Sequence, residues 1–424
     1  MNRRVVITGL GICAPNATKL SAFERAMFEG VSGIRRMPVL QELGFRCQVA
    51  GVPEISEDIL NEYFTRIELK GLACTGLIYG TIAGMQAWKI AGLPIPEGEE
   101  PNWDSGVIFG TSILGVDKFR ESIRQVDAGQ VRRLGSTSVP QTMASGISAF
   151  LGGKLGCGNQ VSTNSSACST GTEAILMAYE RIKGGRATRM LAGSCSDSGP
   201  YIWGGFDAMR VVPSCYNETP EWASRPMSAT AAGFVPSSGA GALLLETLES
   251  ARSRNAPIFA EVLGGAVNCG GQRNGGSMTA SNGSAVRKCI RDALSDAGVG
   301  PEAVDVVNGH LTATAGDPAE IRNWCSALGR KGADFPYINS FKDVLGHGLA
   351  ASGSMECVAA ILQFSNDQII GNRNAADLHP EIAGLIHPDC VPQENLAHRP
   401  QIIAKASLGF GDVNACVIFK RFNP

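Results

Sequence analysis

Short apolar runs with the reach of buried strands alternate along this chain with longer amphipathic stretches. Residues 5–7, 107–109, 190–192, 242–245, 304–307 and 416–419 read as strands, and 172–183 and 285–297 read as helices between them. Strands alternating with helices build layered α/β structure, with sheets covered by helices. Part of the pattern also recurs. Ala87-Trp-Lys-Ile-Ala-Gly-Leu precedes Asp104-Ser-Gly-Val-Ile-Phe-Gly-Thr-Ser, and Ala293-Leu-Ser-Asp-Ala-Gly-Val precedes Asp305-Val-Val-Asn-Gly-His-Leu-Thr. Each is a helix ending on Gly, a connector, and a buried strand ending at a turn. Two copies about 200 residues apart imply a duplicated unit. The polar stretch 249–257 is the natural boundary, giving halves at 1–253 and 254–424.

Composition narrows the function classes. The 424 residues are 44% hydrophobic and 18% charged, enough to bury a large core. A net charge of −2 and a pI near 6.3 leave no basic excess for nucleic acid. No apolar run reaches the roughly 18 residues of a membrane span. The start, with Arg3 and Arg4 before Val-Val-Ile, is interrupted at Gly9 and Gly11 and lacks an A-x-A-like cleavage site, so it reads as a first strand. The 13 cysteines follow no ligand or disulfide spacing. Mostly buried thiols in a soluble, cytoplasmic protein, with no metal, are expected.

One thiol stands apart. In Asn164-Ser-Ser-Ala-Cys168-Ser-Thr-Gly-Thr, small residues surround Cys168 and a helical pattern begins directly after it. A thiol there meets the unpaired N–H groups and positive dipole of a helix start, which favour thiolate. A small buried cysteine in a tight turn fits that segment equally well. Two histidines shift the balance. His310 follows the strand at 304–307, where ligand sites of α/β sheets gather. His347 lies in Ser340-Phe-Lys342-Asp-Val-Leu-Gly346-His347-Gly-Leu-Ala-Ala-Ser-Gly353, a Gly turn before an apolar helix. The other histidines, His379, His387 and His398, lie in a Pro-rich polar stretch and read as surface residues.

These segments, in this order, resemble the elongating type I/II class of β-ketoacyl-[acyl-carrier-protein] synthases, in the thiolase superfamily. The opening Arg4-Val-Val-Ile-Thr-Gly-Leu-Gly-Ile is similar to that family's first strand. Ser224-Arg-Pro, Gly233-Phe-Val and Gly239-Ala-Gly resemble its mid-chain signature, and Ser407-Leu-Gly409-Phe410-Gly411-Asp-Val-Asn414 its C-terminal turn. The resemblance spans the chain. It implies a thiolase-like fold of duplicated α/β halves in five layers, αβαβα. It implies a ketosynthase in which Cys168 takes an acyl group from a thioester, with the N–H groups of Cys168 and Phe410 as oxyanion hole. His310 and His347 would hold the thioester oxygen of malonyl-acyl carrier protein during loss of CO2, and Lys342 would hold His347 as a donor. Thr312 and Thr314 match positions that bind the pantetheine arm, Ile113 a residue lining the acyl pocket and Phe410 a ring gating it. Glu356 matches a structural carboxylate, and Asn414 belongs to the C-terminal turn. No cofactor is implied beyond the phosphopantetheine arm, which arrives on a separate carrier protein. A dimer is implied, with an identical chain or a sibling subunit, and 139–143 resembles the part that reaches across it.

The match has gaps. Leu311 stands where the family has Gly, and the turn from Thr314 to Asp317 is one residue short. Ser228, Ala231 and Ala232 replace charged residues, Ser237 and Ser238 replace Gly-Glu, and Asp412 replaces a Gly. Such divergence suggests a specialised polyene or polyketide pathway. Degradative thiolases would need a second catalytic cysteine at the C-terminal turn, and initiating synthases an Asn at His347. The alternative from another class is a non-catalytic chain-length-factor-like partner, a subunit that loses the cysteine; Cys168, His310 and His347 together argue against it.

Overall fold

A computed structural model describes residues 3–423; Met1, Asn2 and Pro424 lie outside them. The first half contributes β1 (Val5–Cys13), α1 (Thr75–Ile90), β2 (Ser105–Gly110), β3 (Val161–Ser162), α2 (Thr170–Lys183), β4 (Arg189–Ser196) and β5 (Gly239–Thr247). The second contributes β6 (Ala260–Cys269), α3 (Gly283–Ala297), β7 (Val306–Asn308), β8 (Tyr337–Asn339), α4 (Ser352–Asn366), β9 (Ile402–Gly409) and β10 (Val413–Lys420).

The strands run β8-β7-β9-β10-β6-β1-β5-β4-β2-β3. Read outward from the centre, β1-β5-β4-β2-β3 and β6-β10-β9-β7-β8 have the same order, with the two outer pairings parallel and the two inner pairings antiparallel in both. The recurring helix–strand sequences are α1 with β2 and α3 with β7, in equivalent places. The two halves are stitched by a short antiparallel pairing, Val5↔Val262 to Ile7↔Ala260.

Three apolar cores explain the layering. One, with Ile175, Leu176, Val358 and Ile361, surrounds α2 and α4 between the sheet halves. A second, with Ile82, Trp88 and Phe109, lies under α1, and a third, with Ile290, Trp324 and Val307, under α3. Helix α4 is buried from Ser352 to Phe364, as expected of a helix apolar on every side. Helix α2 carries Glu173 in its first turn and Arg181 and Lys183 in its last, matching its dipole.

Two strand boundaries depart from expectation. The first strand continues through Gly9 and Gly11 rather than stopping there. A Cβ at Gly11 would sit 2.8 Å from the backbone N of Ala87, so the bare positions let α1 lie directly on the strand. The strand expected at 304–307 begins at Val306, because Pro301–Ala303 forms a 3-10 turn that runs into Val304. Among the described residues no helix is long and apolar enough to cross a membrane.

Candidate active site

Cys168 occupies a 3-10 turn, Ala167–Ser169, that feeds α2. The turn is held in a conformation few side chains adopt, with Ala167 at φ +48. Thr170 Oγ1 accepts from Ser166 N at 2.9 Å and donates to the Ala167 carbonyl at 2.6 Å. Ser169 Oγ reaches the carbonyls of Ser407 and Val413, each at 3.1 Å, tying the turn to the β9–β10 hairpin. That hairpin brings Phe410 alongside. A Cβ at Gly409 would lie 2.8 Å from the Ser166 carbonyl oxygen, so only glycine permits the approach. The N–H groups of Phe410 and of Cys168 itself both point toward Sγ, so an oxygen on a carbon bonded to that sulfur would lie within their reach.

Cys168 keeps some solvent contact, yet its thiol is enclosed. Burial pushes it up to about 11, against the pull of Lys342 and of the two N–H groups. The helix-start setting therefore does not give a resting thiolate, contrary to the expectation from sequence. The proton has to leave toward a base when the thiol attacks.

Two bases stand close. Cys168 Sγ and one ring nitrogen from each of His310 and His347 lie within 4.8 Å of one another. The rings meet edge to face with centroids 5.3 Å apart. Burial holds His347 down to about 3 and His310 well below the ordinary imidazole range, with Lys342 reinforcing both. Both imidazoles are thus uncharged at neutral pH.

His310 follows β7, and its backbone is fixed by Glu320 of helix Asp317–Leu328, which accepts from His310 N at 2.6 Å and Leu311 N at 2.8 Å. The backbone of His347 is clamped from both sides by 235–237: its N–H donates to the Val235 carbonyl at 2.7 Å and its carbonyl accepts from Ser237 N at 3.0 Å. Its Nδ1 receives Leu349 N–H at 3.3 Å and lies 3.0 Å from Ser352 Oγ. An Nδ1 that accepts a backbone N–H carries no proton, so the ring proton is on Nε2. Lys342 makes no hydrogen bond to His347, the contact that the resemblance implied. Its ammonium donates to the His310 carbonyl at 2.6 Å and pairs with Glu356 at 2.5 Å, and Ser352 takes the part assigned to it.

Thr312 and Thr314 lie next to His310, with hydroxyls 3.0 Å apart. Asn414 is buried, bonding Asn268 across β6–β10 and the Asp412 carbonyl. Ile113 lies on the loop after β2 and is 50% exposed in the single chain. His379 and His387 cap short turns far along the chain from the site.

Sequence reasoning missed several neighbours. Phe206 and Phe234 continue an aromatic row from Phe410 to His347, at centroid spacings of 6.2, 5.3 and 5.1 Å. Phe206 has no sequence signal. Lys405 had one: a lone lysine inside the apolar strand β9, where an ammonium demands a buried partner. It is fully buried and pairs with Glu356 at 2.6 Å.

The Beta-ketoacyl synthase N-terminal domain matches residues 2–251, and the Beta-ketoacyl synthase C-terminal domain matches residues 259–376. The chain belongs to the β-ketoacyl synthase family. It is 32% identical to the chloroplastic 3-oxoacyl-[acyl-carrier-protein] synthase I of Arabidopsis thaliana, over all of this chain and 87% of that one. It is 31% identical to 3-oxoacyl-[acyl-carrier-protein] synthase 2 of Vibrio cholerae, over 99% of each. A β-ketoacyl synthase from Burkholderia phymatum superposes with a TM-score of 0.89 at 28% identity, over 99% of this chain and all of the other. The ketosynthase of a type II polyketide system, solved with its acyl-carrier protein, superposes at 0.86 with 27% identity over the whole of both chains. The five-layer thiolase-like fold is therefore that of this synthase.

Where the synthase departs from its family's pattern, the structure supplies local compensation. Leu311 points into the core under α3 and is fully buried, leaving the site to His310. The shortened turn closes with Asp317 N on the Thr314 carbonyl at 3.1 Å, while the Asp317 carboxylate gathers the N–H groups of Thr312, Ala313 and Met227. Ser228 donates to Asp377 at 2.6 Å, beside Arg225 on the same carboxylate. Ala231 and Ala232 have no such role. Ser237 and Ser238 are fully buried in the segment that clamps His347.

Asp412 has the clearest task. Its buried carboxylate accepts from Asn282 N at 2.7 Å and Gln272 N at 3.0 Å, fastening the exposed loop between β6 and α3 to the turn that carries Phe410. Its φ of +65 suits glycine, so Asp412→Gly removes the acceptors while relieving the backbone. A net loss of about 1–2 kcal/mol in unfolding free energy is expected, chiefly for the orphaned Asn282 N–H. Limited proteolysis should then cut within 271–281, where the parent resists.

Proposed function

We propose that the protein extends a fatty-acid, polyene or polyketide chain by decarboxylative Claisen condensation between an acyl group on Cys168 and malonyl-acyl carrier protein. The observation that carries this reading is the convergence of one thiol and two uncharged imidazoles within 4.8 Å, beside two N–H groups aimed at the sulfur.

In the first half-reaction Cys168 Sγ attacks the acyl thioester and gives its proton to a nearby imidazole. The N–H groups of Phe410 and Cys168 hold the tetrahedral oxyanion. Collapse expels the carrier's thiolate, which regains that proton, and leaves acyl-Cys168. In the second, the malonyl thioester oxygen is held by the two histidines. His347 offers Nε2–H, so negative charge arriving on that oxygen as CO2 leaves meets a donor. A donor so placed is typically worth roughly 10²–10³ in rate. The enolate carbon attacks the acyl carbonyl, the C–S bond to Cys168 breaks, and the thiolate takes up a proton from solvent.

Thr312 and Thr314 contact the pantetheine arm, the ring of Phe410 gates the acyl chain, and Ile113 lines its far end once a second subunit covers it. The arm belongs to the carrier, so the chain itself holds no cofactor or metal. Glu356, with Asn414, keeps the frame. The chain works as the two units 1–253 and 254–424, and as a dimer with itself or a sibling subunit. Short β3 at the sheet edge, with Val139 and Met143 exposed at 68% and 37%, supports that surface. A ketosynthase/chain length factor of similar fold, at TM-score 0.88 and 25% identity, favours the sibling form. Thirteen cysteines without a disulfide among the described residues suit the reducing cytoplasm.

Incubation with acyl-carrier donors of graded length and unsaturation, followed by intact-mass and peptide analysis, is expected to show one acyl group on Cys168. Absence of any adduct, from donors and from cerulenin alike, sinks the catalytic reading and leaves the chain-length-factor-like partner.

A further inference from the structure

The charge balance behind the histidines does not close with the groups assigned so far. Glu356 is the carboxylate that pairs with two buried ammoniums. Lys342 sits on Oε1 at 2.5 Å and Lys405 on Oε2 at 2.6 Å, and the three residues are at most 2% exposed. Each ammonium has one further acceptor, the His310 carbonyl for Lys342 and the Ala406 carbonyl for Lys405, both at 2.6 Å. A second cation on one buried carboxylate is costly to desolvate, and a structural pair would need only one.

The placement of Glu356 gives the second cation a use. Its Oε1 also faces Ser352 Oγ at 3.3 Å, and Ser352 Oγ lies 3.0 Å from His347 Nδ1. With Lys342 alone, the carboxylate could turn about its side chain and leave Ser352. Lys405, rooted in strand β9, holds Oε2 and fixes the direction of Oε1. The surplus positive charge also lies beside a site whose intermediates are anionic: a thiolate, two oxyanions and an enolate.

We propose that Lys405 is a positioning residue of the condensation site, which fixes the Glu356 carboxylate between Lys342 and Ser352 and supplies the second cation that keeps His347 uncharged. The proposal rests on the decarboxylating role given to His347 above. The titratable groups around the two imidazoles are Lys342 and Glu356 from the segments beside them, Lys405 from β9 and Cys168 from the start of α2, with Glu320 of helix Asp317–Leu328 on the backbone of His310. Burial raises Glu320 to about 7, so it adds full negative charge only above neutrality. Burial, then Lys342, then Lys405 oppose a proton on His347, with Glu356 acting the other way. Removing Lys405 therefore leaves the Glu356 charge less compensated and makes protonation of His347 easier.

The test follows CO2 release from malonyl-acyl carrier protein by the full-length protein between about pH 5 and pH 9, for the parent, Lys405→Met and Lys405→Gln. The parent is expected to show no acidic limb near 6.5, the ordinary imidazole value. In Lys405→Met, which fills the space without charge or donor, kcat should fall about tenfold. That is less than the roughly 10²–10³ for a lost direct donor. KM for the malonyl carrier should stay within about twofold, since substrate contacts are untouched. Any acidic limb should also begin at a higher pH than in the parent. Lys405→Gln, which still donates to Glu356, should keep more of kcat but show the same shift. Parent-like profiles in either folded variant, with or without a lower unfolding temperature, overturn the proposal and leave Lys405 structural. So does an acidic limb near 6.5 in the parent itself, which decides the matter even where neither variant folds. If the parent releases no CO2 at any pH, the function proposed for the site fails first.

Discussion

Cys168→Ala is expected to lose condensation by about 10⁴-fold or more while CO2 release from malonyl-acyl carrier protein continues. The two activities separate because they use different atoms. The acyl group needs Sγ, and nothing else near it can form the covalent intermediate. Decarboxylation needs donors at the thioester oxygen, and on the roles proposed above those are His310 and His347, whose positions are set by Glu320, by residues 235–237 and by Ser352. None of these supports passes through the cysteine side chain. Alanine also removes a thiol that burial keeps protonated, so no charge is stranded. The measurement pairs labelled CO2 release with mass analysis of the extended acyl carrier. Parallel loss of both would show that the sulfur takes part in decarboxylation, contradicting the division of roles.

The second large effect is on stability. Glu356→Gln keeps the shape of the side chain but leaves Lys342 and Lys405 buried without a counter-charge. Removing one partner of a buried ion pair typically costs about 3–5 kcal/mol, and two cations lose theirs here. Burial already lowers Lys342 in the parent, with Lys405 pressing the same way and Glu356 opposing. Without Glu356 the folded-state value drops further below the unfolded one. The unfolded chain then binds more protons than the folded one, so the stability of the variant rises with pH between those two values. Chemical denaturation near pH 7 and again near pH 9.5 should show a large deficit at the lower pH and partial recovery at the higher. A deficit that does not change with pH would mean that lost packing, and not stranded charge, is responsible.

Much of this was legible in the sequence, for specific reasons. A duplicated sheet leaves a repeated helix–connector–strand pattern, and 87–112 and 293–312 carried it. The nucleophile and the two histidines lie in Gly-rich turns at element ends, where side-chain packing is not what selects a residue. The misses have equally local causes. Gly9 and Gly11 looked like breaks because the helix that needs them bare lies about 80 residues away. The resemblance made Lys342 and His347 partners, but the helical turn between them sends the ammonium to His310 and leaves the imidazole to Ser352. Phe206 belongs to the long excursion between β4 and β5, which has no period to betray what it covers, and Phe234, though inside the Gly233-Phe-Val motif, carried no sign of its neighbours.

The matching strand order of the two halves has a consequence for how such a chain diversifies. Cys168 opens α2 and the His347–Ser352 turn opens α4, the same position in each repeat; Ile113 follows β2 as His310 follows β7. On the roles proposed above, the first repeat carries the acyl group and the second makes the carbanion, with Phe410 of the second reaching over to the acyl carbonyl. Apart from Phe410, mutations that retune the accepted starter and mutations that retune the extender thus fall on separate stretches of the gene. A lineage can therefore change its product by altering one inherited copy while the other stays as it was.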